Sequence, residues 1–230
     1  MDNNQKIYDL VRKQKVAELQ ELMSQKGVKI SNATVMTMIH YLRQCANDTR
    51  LIDCKEQYST KLDILKEIIE DELEEDDKII IFSFYKRMAY HIQSFIKQNK
   101  LGDVFSVTGD TNNEERNRIK ERFNVDMTKF LVCTDTLQYG ANLQGANVII
   151  NFEPPWNPAI IEQRIARADR LGQTKKVLVY NMIAENTMDV RIRHMLAKKK
   201  AQFSDLIDNA ELQDVSDRFS IDEMMKLILE

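Results

Sequence analysis

The chain has 230 residues, of which 30% are charged and 43% hydrophobic, and its 33 Lys and Arg side chains stand against 36 Asp and Glu to give a net charge of −3. This composition argues against a disordered chain and against a membrane-spanning one. The balanced charge gives no bulk basicity, so any contact with nucleic acid has to come from a local surface.

The three cysteines, Cys45, Cys54 and Cys133, form an odd set without a short CxxC pair. This pattern argues against a disulfide scaffold and against a structural zinc site, and we expect no metal site in the chain. All three are predicted to be buried small hydrophobes in a reducing compartment. Since the first twenty residues contain no continuous apolar stretch, we expect an intracellular protein of the cytoplasm, nucleoid or nucleus, with no membrane partner.

The first third of the chain is predicted to be helical. Eight of the nine Gly and Pro residues of the whole chain lie between 102 and 172, so the segments on either side should contain few turns. Apolar side chains recur at helical spacing over 1–24 and again over 60–73, and a further helix is predicted over 31–45. We expect residues 1–57 to be an accessory helical segment that leads into the next domain.

Five short apolar runs in the middle of the chain predict β-strands. They cover residues 78–83, 103–108, 129–134, 147–152 and 176–182. Helical patterns at about 86–99, 113–123 and 158–169 separate most of these strands. Buried strands that alternate with helices predict an α/β fold with a parallel, doubly wound sheet, in which ligands gather at the carboxyl ends of the strands. A last helix is predicted over 187–207.

The most informative stretch is NPAIIEQRIARADRLGQ, residues 157–173. Asn157 can cap a helix there, Pro158 suits its first turn, and Gly172 can end it. Three polar side chains are spaced to share one face, Gln163, Arg167 and Arg170, and four apolar ones can pack on the sheet, Ile161, Ile165, Ala168 and Leu171. Two guanidinium groups on a packed helix suit a polyphosphate, although a solvated basic face has the same pattern.

Five segments in a fixed order resemble the C-terminal helicase lobe of the Swi/Snf family, the ATP-dependent DNA translocases and chromatin-remodelling ATPases of helicase superfamily two. They are IIIFSFYKRM (79–88), VTGDTNNEERNRIKERF (107–123), VCTDTLQYGANLQ (132–144), FEPPWNP (152–158) and EQRIARADRLGQ (162–173). The resemblance implies a RecA-like lobe, the second lobe of a P-loop-NTPase-like motor, at 58–185, followed by a brace helix and tail at 186–230. The chain departs from the family at Phe84, Asp169 and 137–138.

Two features of a complete motor are missing from the sequence. None of the six glycines is followed by Lys, so there is no P-loop, and no predicted strand ends in an acidic pair that could hold magnesium. The resemblance therefore implies that ATP and Mg²⁺ are held mainly by an N-terminal helicase lobe outside this chain. We expect the intact two-lobe protein to hydrolyse ATP and this chain alone to be inactive.

The resemblance also assigns roles to individual residues. Arg167 and Arg170 would reach the triphosphate as arginine fingers, with Gln163 orienting them, and Gly140 and Asn142 would border the nucleotide. Residues at strand ends would hold the backbone of double-stranded DNA: Ser83, Arg87, Thr108, Gly109 and Thr134, with Trp156 exposed at the DNA-facing rim. Each assignment has a structural alternative. The arginine helix can serve only to pack on the sheet, and Gly140 and Asn142 can simply form a turn and a helix cap. The strand-end residues can cap their strands, and Trp156 can be a core residue.

Three other functions fit parts of the pattern. An RNA-unwinding lobe of the DEAD-box class has a related arginine motif, but that motif is rich in Gly and lacks the PPWNP segment. A non-catalytic interaction module has no need of both arginines. A dinucleotide-binding domain needs a GxGxxG that is absent. We expect a DNA-dependent motor lobe, with duplex DNA and a DNA-bound protein complex as partners.

Overall fold

The computed structural model describes residues 2–27, 29–135, 143–169, 172–202 and 219–230. The α-helices are α1 (Asn3–Ser24), α2 (Asn32–Asn47), α3 (Thr60–Glu67), α4 (Lys86–Gln98), α5 (Asn113–Val125), α6 (Ala159–Ala168), α7 (Met188–Gln202) and α8 (Ile221–Leu229). A 3₁₀ helix covers Thr49–Ile52 and a π-helical turn covers Ile68–Glu72. The strands are β1 (Ile79–Phe82), β2 (Val104–Val107), β3 (Phe130–Cys133), β4 (Val148–Asn151) and β5 (Leu178–Asn181). Each of the five predicted strands is confirmed within one or two residues.

The five strands form one parallel sheet in the order β2-β3-β1-β4-β5. The connection from β1 leads towards β2, whereas those from β2, β3 and β4 run the other way along the sheet. Right-handed crossovers therefore place α4 on one face and α5 and α6 on the other. This arrangement confirms the predicted α/β fold, a RecA-like parallel sheet flanked by helices.

One face of the sheet carries an apolar cluster that holds α5 and α6 in place. The side chains of Phe82, Leu131 and Ile149 project from three strands into this cluster, where they meet Phe123 of α5 and Ala168 of α6. Because helices cover both faces of the sheet, every residue of β1, β3 and β4 is buried, and all of them except Asn151 are apolar.

The chain divides into two compact units, one made of Met1–Thr60 with Ala184–Glu230 and the other of Lys61–Ile183. The boundaries that we expected at 57/58 and 185/186 remain predictions. In the part of the chain that the structure describes, no helix combines the length and the apolar character needed to cross a membrane.

Within its described residues, the first unit contains α1, α2, α7 and α8 together with the 3₁₀ helix, and hydrogen bonds between distant residues join these helices. The backbone amide of Met188 donates to the hydroxyl of Tyr8 at 2.7 Å. The guanidinium of Arg191 donates to the carbonyl of Leu227 at 2.8 Å, at the carboxyl end of α8. These bonds connect the two ends of the chain within this unit.

Candidate functional site

The carboxyl ends of the five parallel strands meet at one edge of the sheet in the second unit. The connections from β1 and β4, which are neighbours, leave in opposite directions along the sheet. In open α/β sheets, ligands bind in the crevice at such a switch point. A ligand site is therefore expected at the loops that follow β1 and β4.

These two loops are joined by the buried carboxylate of Glu153. The hydroxyl of Ser83 donates to Glu153 Oε1 at 3.0 Å, and the backbone amide of Phe84 donates to the same oxygen. On the other side of the loop, Lys61 Nζ donates to the carbonyl of Phe152 at 3.0 Å. Residues 151–156 are all buried, so the FEPPW segment is a fixed part of the site.

Helix α6 begins directly after this segment, as predicted. The side-chain Oδ1 of Asn157 accepts a hydrogen bond from the backbone amide of Ala159 at 3.1 Å, which confirms Asn157 as a capping residue. The helix ends at Ala168 rather than near Gly172, which lies beyond it with a φ of +104°.

The packed face of α6 differs from the predicted one. Its buried residues are Ile160, Arg164 and Ala168, which recur every four positions, whereas Ile161 and Ile165 are only partly buried. Of the four predicted packing residues, Ala168 is part of the apolar cluster and Ile165 packs against it, while Leu171 lies outside the described residues. The prediction left out Ile160 and Arg164, which are buried. A buried arginine needs partners, and this one has them.

Arg164 is 3% exposed and lies beneath the ends of three strands. Its guanidinium donates to the carboxylate of Asp135, just after β3, and to the side-chain carbonyl of Asn151, at the end of β4. It also lies over the ring of Phe82, 4.4 Å from the centroid. The arginine thus fastens α6 to β1, β3 and β4 at the carboxyl edge.

The carboxyl end of α6 is held by a different set of bonds. The backbone amide of Leu143 donates to the carbonyl of Arg167 at 3.2 Å. The side-chain amide of Gln173 donates to the carbonyl of Ala146 at 2.7 Å and lies 3.3 Å from that of Ala168. These bonds join the end of the helix to the segment that leads into β4.

The predicted nucleotide-facing residues fall partly within the described structure. Gln163 is exposed and Arg167 is half-buried, and both lie on α6 off the packed Ile160–Arg164–Ala168 face. Arg170, Gly140 and Asn142 lie outside the described residues. Their predicted roles remain predictions.

Only two of the six predicted DNA contacts are exposed, Arg87 and Gly109. The side chains of Ser83, Thr108 and Thr134 are buried. Ser83 donates to Glu153, and Thr108 Oγ1 lies 3.1 Å from the hydroxyl of Tyr90. The hydroxyls of Ser83 and Thr108 thus already have partners within the protein. The contacts of Ser83, Thr108 and Thr134 with DNA phosphates remain predictions.

Trp156 is 5% exposed, so the prediction of a partly exposed tryptophan at the rim was wrong. The physical reason is that the whole FEPPW segment folds inward at the end of β4. An aromatic side chain that is exposed at this edge is Phe84, 48% exposed, at a position where the chain departs from the Swi/Snf pattern.

The rim next to Arg87 carries a small charged cluster. Lys86 Nζ lies 3.0 Å from the carboxylate of Asp110, and the hydroxyl of Tyr90 donates to the same carboxylate at 3.1 Å. Both hydrogen bonds favour the ionised form, so the pKa of Asp110 is lowered, while that of Lys86 is raised by the same contact with Asp110. Asp110 therefore neutralises the charge of Lys86 at this rim.

Two further predictions concern cysteines and metals. Cys45 and Cys133 are buried, but Cys54 is only partly buried, which corrects the expectation for that residue. Burial raises the pKa of the Cys133 thiol, with Arg164 opposing the effect.

Three carboxylates converge before β1, those of Glu74, Asp76 and Asp77, and Lys175 Nζ lies 2.7 Å from Asp76.

The sequence reading missed three residues that build the site: Glu153, Arg164 and Gln173. A signal existed for Arg164, because it lies four positions from both Ile160 and Ala168 and so belongs to the apolar face. A signal also existed for Glu153, which lies between Phe152 and two prolines directly after a buried strand. Gln173 ends the arginine segment but has no periodicity that marks it.

A family model described as the helicase conserved C-terminal domain matches residues 60–172. A relative in Bacillus subtilis (strain 168), "Uncharacterized ATP-dependent helicase YqhH", is 29% identical over 206 residues, covering 88% of this chain and 34% of the relative. The chain thus spans about a third of that relative's length.

Two solved structures from Sulfolobus solfataricus are similar over nearly the whole chain. The SWI2/SNF2 ATPase C-terminal domain has a TM-score of 0.70 at 26% identity, covering 95% of this chain and 92% of that one. The SWI2/SNF2 ATPase core in complex with dsDNA has a TM-score of 0.72 at 28% identity, covering 94% of this chain and 47% of that one.

Proposed function

This chain belongs to the Swi/Snf-type helicases through its C-terminal helicase lobe, and on that premise we propose that it works as the second motor lobe of an ATP-dependent double-stranded DNA translocase or remodeller. The observation that carries the proposal is the mounting of α6. Its Arg164 face is buried on the strand ends, while Gln163 and Arg167 lie off that face. A helix fixed in this way can hold cations at a constant position towards a neighbouring lobe.

The proposed partner of these cations is ATP. When bound, ATP supplies a phosphoryl group whose transfer to water provides the energy for movement. A guanidinium suits its phosphates because the planar fork matches phosphate oxygens and cannot lose its charge. We assign Arg167 and Arg170 to the triphosphate, Gln163 to their orientation, and Gly140 and Asn142 to the border of the nucleotide.

An N-terminal lobe is required by this proposal. It would hold ATP and Mg²⁺ through the P-loop and acidic pair that are absent from this sequence. An arginine finger that reaches across from the second lobe contributes roughly a thousandfold to a hundred-thousandfold in rate. The two lobes together, rather than this chain by itself, form the enzyme of the proposal.

The proposed DNA surface is the exposed rim after β1 and β2. Arg87 and the backbone at Gly109 are exposed there, and contacts of this kind hold phosphates without reading sequence. The dsDNA named with the Sulfolobus solfataricus core supports double-stranded DNA as the substrate. Trp156 would act by shaping the loop between β4 and α6 rather than by direct contact. Activity on DNA also implies an intracellular location.

The test is the steady-state ATPase activity of the two-lobe protein with duplex DNA, with RNA and without nucleic acid. We expect stimulation by duplex DNA of any sequence. Stimulation by RNA instead would support an RNA-helicase lobe, and no hydrolysis under any condition would support a non-catalytic module.

A matched pair of variants tests the DNA surface. Arg87→Ala should weaken DNA binding for all sequences alike. The slope of the logarithm of the binding constant against the logarithm of the salt concentration should become shallower by about one, as expected for the loss of one phosphate contact. Arg118→Ala, on the exposed side of α5, should leave both unchanged. Equal effects of the two substitutions would argue against the proposed rim.

A further inference from the structure

Two hydrogen-bond donors converge on one carboxylate at the rim after β1 and β2. Lys86 and Tyr90 lie four positions apart on α4, so their side chains share one face of that helix. Lys86 Nζ lies 3.0 Å from each carboxylate oxygen of Asp110, and the hydroxyl of Tyr90 donates to one of these oxygens at 3.1 Å. An ammonium group and a hydroxyl that are aimed at the same oxygens can bind an anion.

The turn that follows β2 orients these donors. The backbone amide of Thr111 donates to the carbonyl of Thr108 at 3.1 Å, and that of Asp110 donates to Thr108 Oγ1 at 3.3 Å. Thr108 is buried, and its Oγ1 lies 3.1 Å from the hydroxyl of Tyr90. Because the single proton of the Tyr90 hydroxyl goes to Asp110, Thr108 is the donor in this contact. Thr108 therefore holds the Tyr90 hydroxyl with its proton towards the rim.

Stability alone is a poor reason for the contact between Lys86 and Asp110. Their side chains are 50% and 60% exposed, and ion pairs in water contribute little to folding. For the same reason, the Asp110 side chain can turn out into the solvent at little cost and leave both donors to another anion. The phosphates of DNA present oxygens that accept from the same donors, and the neighbouring Arg87 is assigned to the DNA backbone in the proposed function.

We propose that Lys86 and Tyr90 form a binding site for one phosphate of the DNA backbone, and that the carboxylate of Asp110 occupies this site in the absence of DNA, an inference that rests on the proposed function. The hydrogen bonds from Lys86 and Tyr90 lower the pKa of Asp110, so the competing carboxylate is ionised at neutral pH. A phosphate has to displace it in order to bind. Asp110 therefore lowers the affinity of this rim for DNA.

The test is the affinity of the two-lobe protein for duplex DNA, measured over a range of salt concentrations. Asp110→Asn keeps the shape of the side chain but removes its charge, so the Kd should fall by about fivefold to tenfold at about 0.1 M salt. The slope of the logarithm of the binding constant against that of the salt concentration should steepen by about one, because Lys86 gains a phosphate contact. Adding Lys86→Gln to Asp110→Asn should remove both gains. Adding Tyr90→Phe instead should remove part of the gain in affinity without changing the slope, since a hydroxyl carries no charge.

Asp126→Asn is the matched control. It removes a carboxylate that also lies 3.0 Å from a cation, Arg122, but at the carboxyl end of α5, and it should leave the Kd and the slope unchanged. An equal gain in Asp126→Asn and Asp110→Asn would reduce the effect to overall charge and overturn the site. Wild-type values in Asp110→Asn, with duplex DNA still bound, would overturn the site and leave the proposed function standing. If the wild-type two-lobe protein does not bind duplex DNA, the proposed function fails and the site fails with it.

Discussion

The hydroxyl of Ser83 donates a hydrogen bond to the carboxylate of Glu153 at 3.0 Å, although the two residues lie 70 positions apart. Together with the backbone amide of Phe84, this bond joins the loops that follow β1 and β4. The joint lies at the switch point of the sheet, where ligands are expected in such folds. The loop between β4 and α6 is therefore built as a fixed support for the helix.

Glu153→Ala should destabilise the chain, because Ser83 and the amide of Phe84 would lose their acceptor in a buried place. Each buried group left without a partner costs about 1 to 3 kcal/mol. The free energy of unfolding, measured by chemical denaturation, checks this. Glu162→Ala on the exposed side of α6 is the control, and an equal loss in both variants would contradict the role of Glu153.

Trp156→Ala should also destabilise the chain, because Trp156 is 5% exposed. Truncating a buried tryptophan costs about 3 to 5 kcal/mol. Phe84→Ala, which removes an aromatic ring that is 48% exposed, should cost far less. A melting temperature for Trp156→Ala equal to that of the wild type would mean that the ring is not packed in solution.

His40 on α2 should make the stability depend on pH. Burial lowers its pKa from the ordinary 6.5 to about 4, and the nearby Arg43 adds to the effect. Below pH 6.5 the unfolded chain therefore binds a proton that the folded chain does not, so the free energy of unfolding falls as the pH falls from 6.5 towards 4.

The variant His40→Gln should remove that part of the pH dependence, which is less than about 1.4 kcal/mol per pH unit. Denaturation between about pH 7 and about pH 5 lies mostly above the range in which carboxylates titrate. His194→Gln, at an exposed position, is the control. Identical slopes in the wild type and His40→Gln would refute the half-buried histidine that stays neutral in the folded chain.

The strands and α6 could be predicted from the sequence because their signals are local. Runs such as residues 78–83 are apolar and β-branched, and Asn157 with Pro158 marks the start of a helix. Arg164 and Glu153 were missed for the opposite reason. Local spacing places Arg164 on the apolar face of α6 and Glu153 directly after a buried strand, but it does not identify the partners that allow their burial. Those partners, Asp135 and Ser83, lie 29 and 70 positions away. Trp156 was misplaced because the inward path of its loop is set by the same long-range contacts.

The chain alone should hydrolyse no ATP, with or without duplex DNA, because its sequence has no P-loop and no acidic pair for magnesium. Its affinity for nucleotide should be weak. A steady-state phosphate-release assay on the purified chain, beside the two-lobe protein, measures both points. DNA-stimulated turnover by the chain alone would contradict the proposal that ATP and Mg²⁺ are held by an N-terminal lobe.

The most direct test of the account is the kcat of the two-lobe protein after Arg167→Ala and after Arg170→Ala, measured beside its affinity for duplex DNA. Replacing the Arg167 side chain leaves its carbonyl available to Leu143, so the backbone bond at the end of α6 is retained. We predict that kcat falls by at least about a hundredfold in each variant while the Kd for DNA stays nearly unchanged. A wild-type kcat in both variants would contradict the claim that α6 supplies the arginines to ATP.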